Sequence, residues 1–253
     1  MKKIPKCLGS SSIFFQVRPG IVLKAPVMIL EDQVVRPRPS VDENYFIERR
    51  ILDRLGQHPR IVRYLGWLDE FPTGLLFEEA SHGSLQCYLN EHNEIPMNVR
   101  KKWFRQAIES IIYIHDRGVI HGDLRPDNFL VTSSLDLLLC DFGKSTCEEL
   151  QINGGGLPDA GFYHPKFAWD LDFYTDIFSL GSVLYTILKG HWPYRAPGLF
   201  NSPEERTQYQ CYVDCHFSQD IFPFIDGYGG KVILGCWQRK YSNVDNILQD
   251  LDS

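Results

Sequence analysis

The 253-residue sequence lacks a long apolar run and an excess of basic residues, and each absence excludes a class of function. No stretch approaches the roughly 18 consecutive apolar residues of a membrane-spanning helix, so no membrane partner is expected. Nucleic acid is not an expected partner either, because 26 lysines and arginines stand against 32 aspartates and glutamates. Pro5 and Gly9 interrupt the N-terminal segment, which is not typical of a signal peptide.

Paired cysteines are also missing. Seven cysteines, an odd number, are scattered along the chain without CxxC spacing, which indicates reduced thiols and a cytoplasmic, intracellular protein. Cys211, Cys215 and His216 lie close together in sequence, but no second pair of candidate ligands follows nearby. Ordinary helix positions therefore explain them better than a metal site does.

Short runs rich in β-branched and aromatic residues fill the first 80 residues and predict a small sheet. Two such runs, SIFFQV and IVLKAP, flank the turn at 18–20, and Lys24 lies in the second predicted strand. Apolar residues then recur at helical spacing over 44–55, with Glu48 inside this predicted helix. Two further strands are predicted within 58–70 and 74–80.

From residue 81 onward the pattern becomes mainly helical. Residues 97–117 predict an amphipathic helix, and residues 175–190 are apolar on most faces, which predicts a buried central helix. Residues 144–170 differ from both, since they hold three consecutive glycines and two prolines. A loop of this length inside a compact domain is usually functional.

The segment from His121 to Gly143, HGDLRPDNFLVTSSLDLLLCDFG, holds the polar residues with the clearest chemical pattern. Asp123, Asn128 and Asp141 fall on two polar loops separated by a predicted hydrophobic hairpin. Carboxylate and amide oxygens in this arrangement suit the binding of a hydroxyl, a triphosphate and Mg²⁺ together.

The order of the polar residues along the chain is more specific than any one of them. A strand lysine, a helix glutamate, an HxD loop with an asparagine five residues after its aspartate, and a DFG thirteen residues further on rarely coincide. With the segments IVLKA, FIERRIL, HPRIV, HGDLRPDN, DIFSLG and CWQRKY, the chain resembles the eukaryotic protein kinase family over nearly its whole length. Within that family it resembles small fungal kinase-like proteins.

The resemblance implies an α+β, bilobal fold that occupies residues 1–253 as a single kinase domain. The N-lobe (1–80) would hold a small antiparallel sheet with one long helix, and the C-lobe (81–253) would be mainly helical. ATP would bind in the cleft between the lobes, and an activation segment would run over about 141–165.

The resemblance also implies the residues that bind the nucleotide and metal. Lys24 would contact the α- and β-phosphates and pair with Glu48, because a flexible ammonium needs a fixed counter-charge to stay aimed. Asp141 and Asn128 would bind Mg²⁺ through their side-chain oxygens. Phe77 would limit the adenine pocket, and the next three residues, Glu78, Glu79 and Ala80, would offer backbone groups to the purine.

Two residues of the HxD loop would act on the reacting groups. By the same resemblance, Asp123 would accept or orient the proton of the attacking hydroxyl. Arg125 would project a cation at the γ-phosphate, where serine/threonine members of the family usually carry lysine. Asp176 would hydrogen-bond the backbone of this loop, and Leu52, His121 and Phe142 would stack as an apolar column.

The sequence departs from the family pattern at three places. The phosphate-covering loop, usually GxGxxG, reads GSSSIF from Gly9, so Gly9 is the one glycine left as a phosphate-binding candidate. Gly122 stands where regulated kinases carry arginine, which predicts activity without phosphorylation of Ser145, Thr146 or Tyr163.

At the end of the activation segment, Lys166 replaces the glutamate that would pair with an arginine near CWQRKY. Lys166 and Arg239 would repel each other if they met, so the segment is either anchored in another way or loose.

The predicted function is an ATP- and Mg²⁺-dependent protein kinase that phosphorylates serine or threonine in a protein substrate. One alternative is a pseudokinase with a scaffolding role, which the altered glycine loop and Lys166 favour. Another is a small-molecule kinase of the aminoglycoside or choline type, which the HGD sequence favours. Arg125, the intact DFG, the DIFSLG segment and the CW-Arg ending are more similar to protein kinases.

Overall fold

A five-stranded antiparallel sheet forms the N-terminal lobe of the computed structural model, which describes residues 1–8, 12–31, 34–37, 39–168 and 172–253. Its strand order is β1-β2-β3-β7-β6, and β4 and β5 form a separate hairpin. Among the described residues of this lobe, the strands are Lys2–Leu8 (β1), Ser12–Arg18 (β2), Ile21–Pro26 (β3), Met28–Glu31 (β4), Val34–Pro37 (β5), Tyr64–Leu68 (β6) and Gly74–Glu78 (β7).

The hairpin predicted at residues 18–20 is confirmed, because β2 and β3 pair in antiparallel register. Gly20 adopts a φ of +79°, which the tight turn requires and a residue with a side chain rarely adopts. β3 lies between β2 and β7, so both of its edges are hydrogen-bonded and Lys24 sits on a rigid central strand. The pairing of Phe14 with Lys24 fixes this register.

The long helix of the N-terminal lobe, α1, spans Pro39–Leu55 and begins five residues before the predicted start at residue 44. Gly56 ends it as predicted, with a φ of +64° and a hydrogen bond of 3.0 Å from its N–H to the Leu52 carbonyl. The buried residues Tyr45, Glu48 and Leu52 follow at helical spacing and share one face. This face carries Glu48 toward the sheet.

The C-terminal lobe is built from helices around a buried one. The helices are Leu85–Glu91 (α2), Met97–His115 (α3), Phe173–Lys189 (α4), Pro203–Phe217 (α5), Gly230–Trp237 (α6) and Asp245–Asp252 (α7). Nearly every residue of α4 is buried, which confirms the predicted central helix. None of the helices within the described ranges combines the length and the apolar character needed to cross a membrane.

Five short strands carry the polar loops between α3 and α4. They are Val119–Ile120 (β8), Phe129–Val131 (β9), Leu137–Leu139 (β10), Thr146–Cys147 (β11) and Ile152–Asn153 (β12). β9 and β10 form the predicted hydrophobic hairpin, while β11 pairs with both β8 and β12. The predicted loop at 144–170 thus contains two strands, which the sequence did not reveal because two residues are too few to show alternation.

Candidate active site

Lys24 forms ion pairs with two carboxylates that come from distant parts of the chain. Its Nζ lies 2.6 Å from Glu48 Oε2 and 2.7 Å from Asp141 Oδ1. β3 presents the lysine, α1 presents Glu48, and Asp141 follows the end of β10. The lysine and Glu48 are both buried, so the ammonium is held in one position between the lobes.

The charges of Lys24 and Asp141 stabilise each other. Burial alone would lower the pKa of Lys24, but the neighbouring carboxylates of Asp141 and Glu48 outweigh it and raise this pKa above its usual value. Desolvation would raise the pKa of Asp141, and the Lys24 ammonium reverses the effect and lowers it. Lys24 and Asp141 are therefore both charged at neutral pH.

The DFG segment turns its first two side chains to opposite sides. Asp141 adopts a φ of +65°, an unfavourable value for a residue with a side chain, and its carboxylate faces Lys24. Phe142 is fully buried, and its ring lies 5.1 Å from the ring of His121. Leu52 is buried as well, so all three members of the predicted apolar column lie in the core.

Asp176 holds the backbone of the HxD loop, as predicted. Its carboxylate accepts hydrogen bonds from the N–H groups of His121 at 2.7 Å and Gly122 at 3.0 Å. The Nε2 of His115 lies 3.0 Å from the same carboxylate. Since Asp176 is fully buried and lies in α4, it joins the central helix to the loop that carries Asp123.

Asp123 is half-buried beside this anchored backbone. Burial raises its pKa to about 7, the charges of Asp141 and Asp159 add to the effect, and Arg125 opposes it. A carboxylate with a pKa near neutral is well matched to accepting a proton from a hydroxyl. The position and protonation behaviour of Asp123 thus suit the predicted catalytic role.

Asn128 and Asp141 are adjacent in space, because the N–H of Cys140 donates to the Asn128 carbonyl at 2.9 Å. The Nδ2 of Asn128 donates to the Asp123 carbonyl at 2.6 Å, which turns the amide oxygen away from that carbonyl. A carboxylate and an amide oxygen form a hard oxygen donor set, which fits Mg²⁺. The metal-binding roles of the two residues stay predictions.

Arg125 contacts a residue that the sequence did not indicate. Its Nη1 donates to Asp159 Oδ2 at 2.5 Å, and its Nε lies 4.0 Å from Asp123 Oδ1. The other oxygen of Asp159 accepts from Arg206 in α5. Asp159 is the one carboxylate of the sequence between positions 151 and 169. Its isolation in this loop was the sequence feature that could have marked it as a candidate site residue.

The predicted purine-binding segment follows β7. Phe77 is buried, in register with Val22 of β3. The N–H of Glu79 donates to the Gly20 carbonyl at 2.9 Å and that of Glu78 to the Arg63 carbonyl at 3.0 Å, so neither N–H is available to a purine. The N–H of Ala80 has no acceptor within the part of the chain described, and Gly9 lies outside the described residues.

The end of the activation segment is anchored, which decides between the two predicted possibilities. Lys166 Nζ lies 3.2 Å from Asp220 Oδ2, and His164 Nε2 lies 3.2 Å from the other oxygen of this aspartate. Arg239 pairs instead with Asp172 at 3.7 Å. Lys166 and Arg239 therefore each have their own aspartate, and the predicted repulsion is avoided.

The cysteines of α5 lie on the surface. Cys211 and Cys215 are exposed free thiols, and His216 follows them on the same helix. Across the residues with described placement, no group of three or more histidine, cysteine, aspartate or glutamate side chains is arranged to hold a metal ion.

The site lies between two lobes, and its lysine is fixed by one carboxylate from each of them. An aspartate lies beside an oxygen donor set. This arrangement is that of an enzyme of the phosphotransferase class. The family model for the protein kinase domain matches residues 29–223, more than half of the chain. The chain therefore belongs to the protein kinase family.

Curated relatives agree with this assignment. The chain is 29% identical over 204 residues to "Calcium/calmodulin-dependent protein kinase type 1" of Macrobrachium nipponense, covering 76% of this chain and 58% of the relative. It is 31% identical over 185 residues to "CBL-interacting serine/threonine-protein kinase 5" of Arabidopsis thaliana, covering 69% and 40%. A third relative, "Probable serine/threonine-protein kinase MARK-C" of Dictyostelium discoideum, is 33% identical over 153 residues, covering 56% and 19%. The matched part is thus less than two thirds of each relative.

Proposed function

We propose that the protein transfers the γ-phosphoryl group of ATP to serine or threonine hydroxyls of protein substrates in a reaction that requires Mg²⁺. The observation that carries the proposal is the pair of contacts that hold Lys24, at 2.6 Å from Glu48 and 2.7 Å from Asp141. Two of the relatives are named as serine/threonine-protein kinases, which supports the choice of phosphate acceptor.

Lys24 would bind the α- and β-phosphates of ATP, since Glu48 holds its ammonium in place at 2.6 Å. Asp141 and Asn128 would hold Mg²⁺, which when bound supplies positive charge beside the phosphates. The free N–H of Ala80 would donate to the purine, and Phe77 would limit the depth of its pocket.

Asp123 would orient the substrate hydroxyl and take its proton. The hydroxyl oxygen forms a bond to the γ-phosphorus, the bond from this phosphorus to the bridging oxygen of ADP breaks, and the proton passes to the carboxylate. A pKa of about 7 leaves a large fraction of Asp123 unprotonated at neutral pH. Arg125 would face the transferring phosphoryl group from the same loop.

The activity would not depend on phosphorylation of the activation segment. Ser145 is fully buried and its hydroxyl donates to the His121 carbonyl, while the hydroxyl of Tyr163 donates to Asp214. These side chains already have structural partners. The carboxylate of Glu149 in this segment pairs with Arg54 of α1 at 2.5 Å, a contact that needs no phosphate.

The decisive experiment incubates the purified protein with γ-labelled ATP and Mg²⁺, with and without generic protein substrates, beside Asp123→Asn as the matched control. Label that appears on serine or threonine of a protein and disappears with Asp123→Asn is the expected result. Nucleotide binding without any transfer would instead indicate a pseudokinase. Transfer only to amino-alcohols or aminoglycosides would indicate a small-molecule kinase.

The cytoplasmic location stays a prediction from cysteine usage. It is compatible with the free thiols found at the six cysteines whose side chains are described. Fractionation of cells that express the tagged protein tests it, with recovery in the cytosolic fraction as the expected outcome.

A further inference from the structure

Arg125 presents an unusual combination of satisfied and unsatisfied donors. Its Nη1 donates to Asp159 at 2.5 Å, whereas its Nε is buried without a hydrogen-bond acceptor among the described residues. The nearest acidic oxygen on the Nε side, Asp123 Oδ1, is 4.0 Å away, too far for a hydrogen bond. A buried donor without an acceptor is costly, which indicates that an oxygen of a ligand completes it.

The guanidinium plane makes the two contacts of Arg125 dependent on each other. Its five N–H groups point outward in a rigid fork, so fixing the Nη1 edge also fixes the direction of the Nε edge. In this structure Asp159 fixes the Nη1 edge of Arg125, and the Nε edge faces the space beside Asp123. A lysine at this position would lack this coupling, because its ammonium rotates freely.

Asp159 also competes with Asp123 for the same cation. Without Asp159, Arg125 would be drawn onto the Asp123 carboxylate, since opposite charges 4.0 Å apart attract strongly where water is scarce. That pairing would cover the oxygen that has to receive the substrate proton. Asp159 draws the guanidinium away and keeps the carboxylate of Asp123 open.

Arg206 holds Asp159 from the opposite side. It lies in α5, and its Nη2 donates to the Asp159 oxygen that Arg125 does not use. The carboxylate of Asp159 is thus fixed between two guanidinium groups, and its side chain is only 21% exposed. An exposed helix of the C-terminal lobe is connected in this way to the reacting groups.

We propose that Asp159 is a positioning residue for Arg125 and that Arg206 anchors Asp159, so that Arg125 meets the transferring phosphoryl group without covering Asp123. The proposal rests on the proposed kinase function. It explains why an arginine can replace the usual lysine at this position. The Nε of its guanidinium points at the phosphoryl group only when a carboxylate holds the Nη1 on the other edge.

The first test measures steady-state kinetics of Asp159→Asn and Arg206→Gln, which remove one charge each. Because misplacement of a group at the reacting centre costs about 100-fold, Asp159→Asn is expected to lower kcat by about this factor with KM for ATP changed less than about 3-fold. Arg206→Gln is expected to lower kcat about 10-fold, because it loosens the anchor without removing it. Arg105→Gln, at the ion pair with Asp252 in α3 and α7, is the matched control and is expected to keep wild-type kcat.

The second test places Asp159→Asn in an Arg125→Ala background. A residue that acts only through Arg125 is expected to have almost no further effect there, whereas a merely structural residue would lower kcat by the same factor in both backgrounds. An unchanged or raised kcat for Asp159→Asn in the otherwise wild-type protein overturns the proposal. Thermal denaturation shows whether each variant is folded. If Asp159→Asn is not, Arg206→Gln at its exposed position decides alone, and an unchanged kcat there overturns the proposal.

The third test uses nucleotide affinity and needs no turnover. ATP and ADP differ by the γ-phosphate, so Asp159→Asn is expected to reduce the preference for ATP over ADP about 5-fold or more, measured by calorimetry. A wild-type protein that binds nucleotide but transfers no phosphate would defeat the proposed function, and this ratio would still decide the role of Asp159. An unchanged ratio overturns the positioning role, and a protein that binds neither nucleotide overturns both.

Discussion

At the scale of single residues, Asp136 holds the β9-β10 hairpin against α3. Its carboxylate accepts from Gln106 at 2.6 Å and from Ser134 at 2.5 Å, and Lys102 Nζ lies 2.9 Å away. The hairpin begins directly after Asn128 and ends two residues before Asp141, so it supports both candidate metal-binding residues. Burial alone would raise the pKa of Asp136, but these hydrogen bonds and the lysine charge lower it to about 2.

The depressed pKa of Asp136 predicts how stability depends on pH. The folded protein binds this proton more weakly than the unfolded chain does, so the stabilisation is complete above about pH 4 and is lost as pH falls toward 2. Asp136→Asn is expected to lower the free energy of unfolding by ~1 kcal/mol at pH 7, a value reduced for solvent screening. The difference from wild type should shrink in urea titrations between pH 4 and pH 3.

The control for this measurement is Asp69→Asn, at an exposed position in the turn between β6 and β7. It is expected to leave the free energy of unfolding within ~0.5 kcal/mol of wild type at every pH. A constant difference between Asp136→Asn and wild type down to pH 3 would contradict the assignment.

At the scale of elements, Gly154 and Gly156 of the activation segment let it approach other backbone at close range, Gly156 at the HxD loop and Gly154 at Lys144. A Cβ atom at Gly156 would lie 2.7 Å from the Gly122 carbonyl oxygen, and one at Gly154 would collide with the backbone of Lys144. Gly122 itself has a φ of +75°, which a glycine adopts readily. The glycine that departs from the family pattern at this position therefore gives the HxD loop the backbone conformation that the close approach uses. An arginine here would have to adopt a strained backbone beside the Lys144 carbonyl.

Gly154→Ala and Gly155→Ala form a matched pair that tests this close approach. Gly155 has a φ of +59° but open space around it, so its alanine variant is expected to lose ~1 kcal/mol of stability and little activity. Gly154→Ala must move the backbone. We expect this variant to lose at least ~2 kcal/mol in the free energy of unfolding and to show a kcat lower by about 10-fold or more. If the two variants lose the same stability in urea denaturation and the same activity in kinase assays, the close approach at Gly154 is contradicted.

The contacts of the activation segment also predict that the kinase activity is insensitive to phosphatase. Ser145→Ala, Thr146→Ala and Tyr163→Phe are each expected to keep kcat within about 3-fold of wild type, because the segment is held by strand pairing and by Glu149. Protein treated with phosphatase should retain its activity. A folded variant of these three that is inactive would refute independence from phosphorylation.

The elements that could be predicted from the sequence are those with a long or distinctive pattern. The central helix α4 and the β2-β3 hairpin were predictable from apolar periodicity and turn residues, and Lys24, Glu48 and Asp141 from their order. Asp159 and Arg206 were not, since they lie 47 positions apart and no local pattern relates them. Their contact exists only because the fold brings α5 beside the activation segment.

At the scale of the whole molecule, Asp176 joins α4, the HxD loop and, through His115, the end of α3. Asp176→Asn would place an amide N–H₂ against one of the two backbone N–H donors and remove the charge that favours both hydrogen bonds. We expect a loss of ~3 kcal/mol in the free energy of unfolding and a parallel loss of activity. Chemical denaturation and kinase assays at one temperature measure both.

Asp172→Asn is the matched control, because the position is the N-cap of the same helix and asparagine caps helices as well as aspartate does. It is expected to change stability by less than ~0.5 kcal/mol, with a small effect from the loss of its charge beside Arg239. Equal losses for the two variants would show that Asp176 acts only as a helix residue.

The single ammonium of Lys24 contacts Glu48 of α1 and Asp141 at the start of the activation segment at the same time. Removal of either carboxylate would leave a buried cation with one partner fewer, which is costly. The position of α1 and that of the activation segment therefore depend on each other through one side chain.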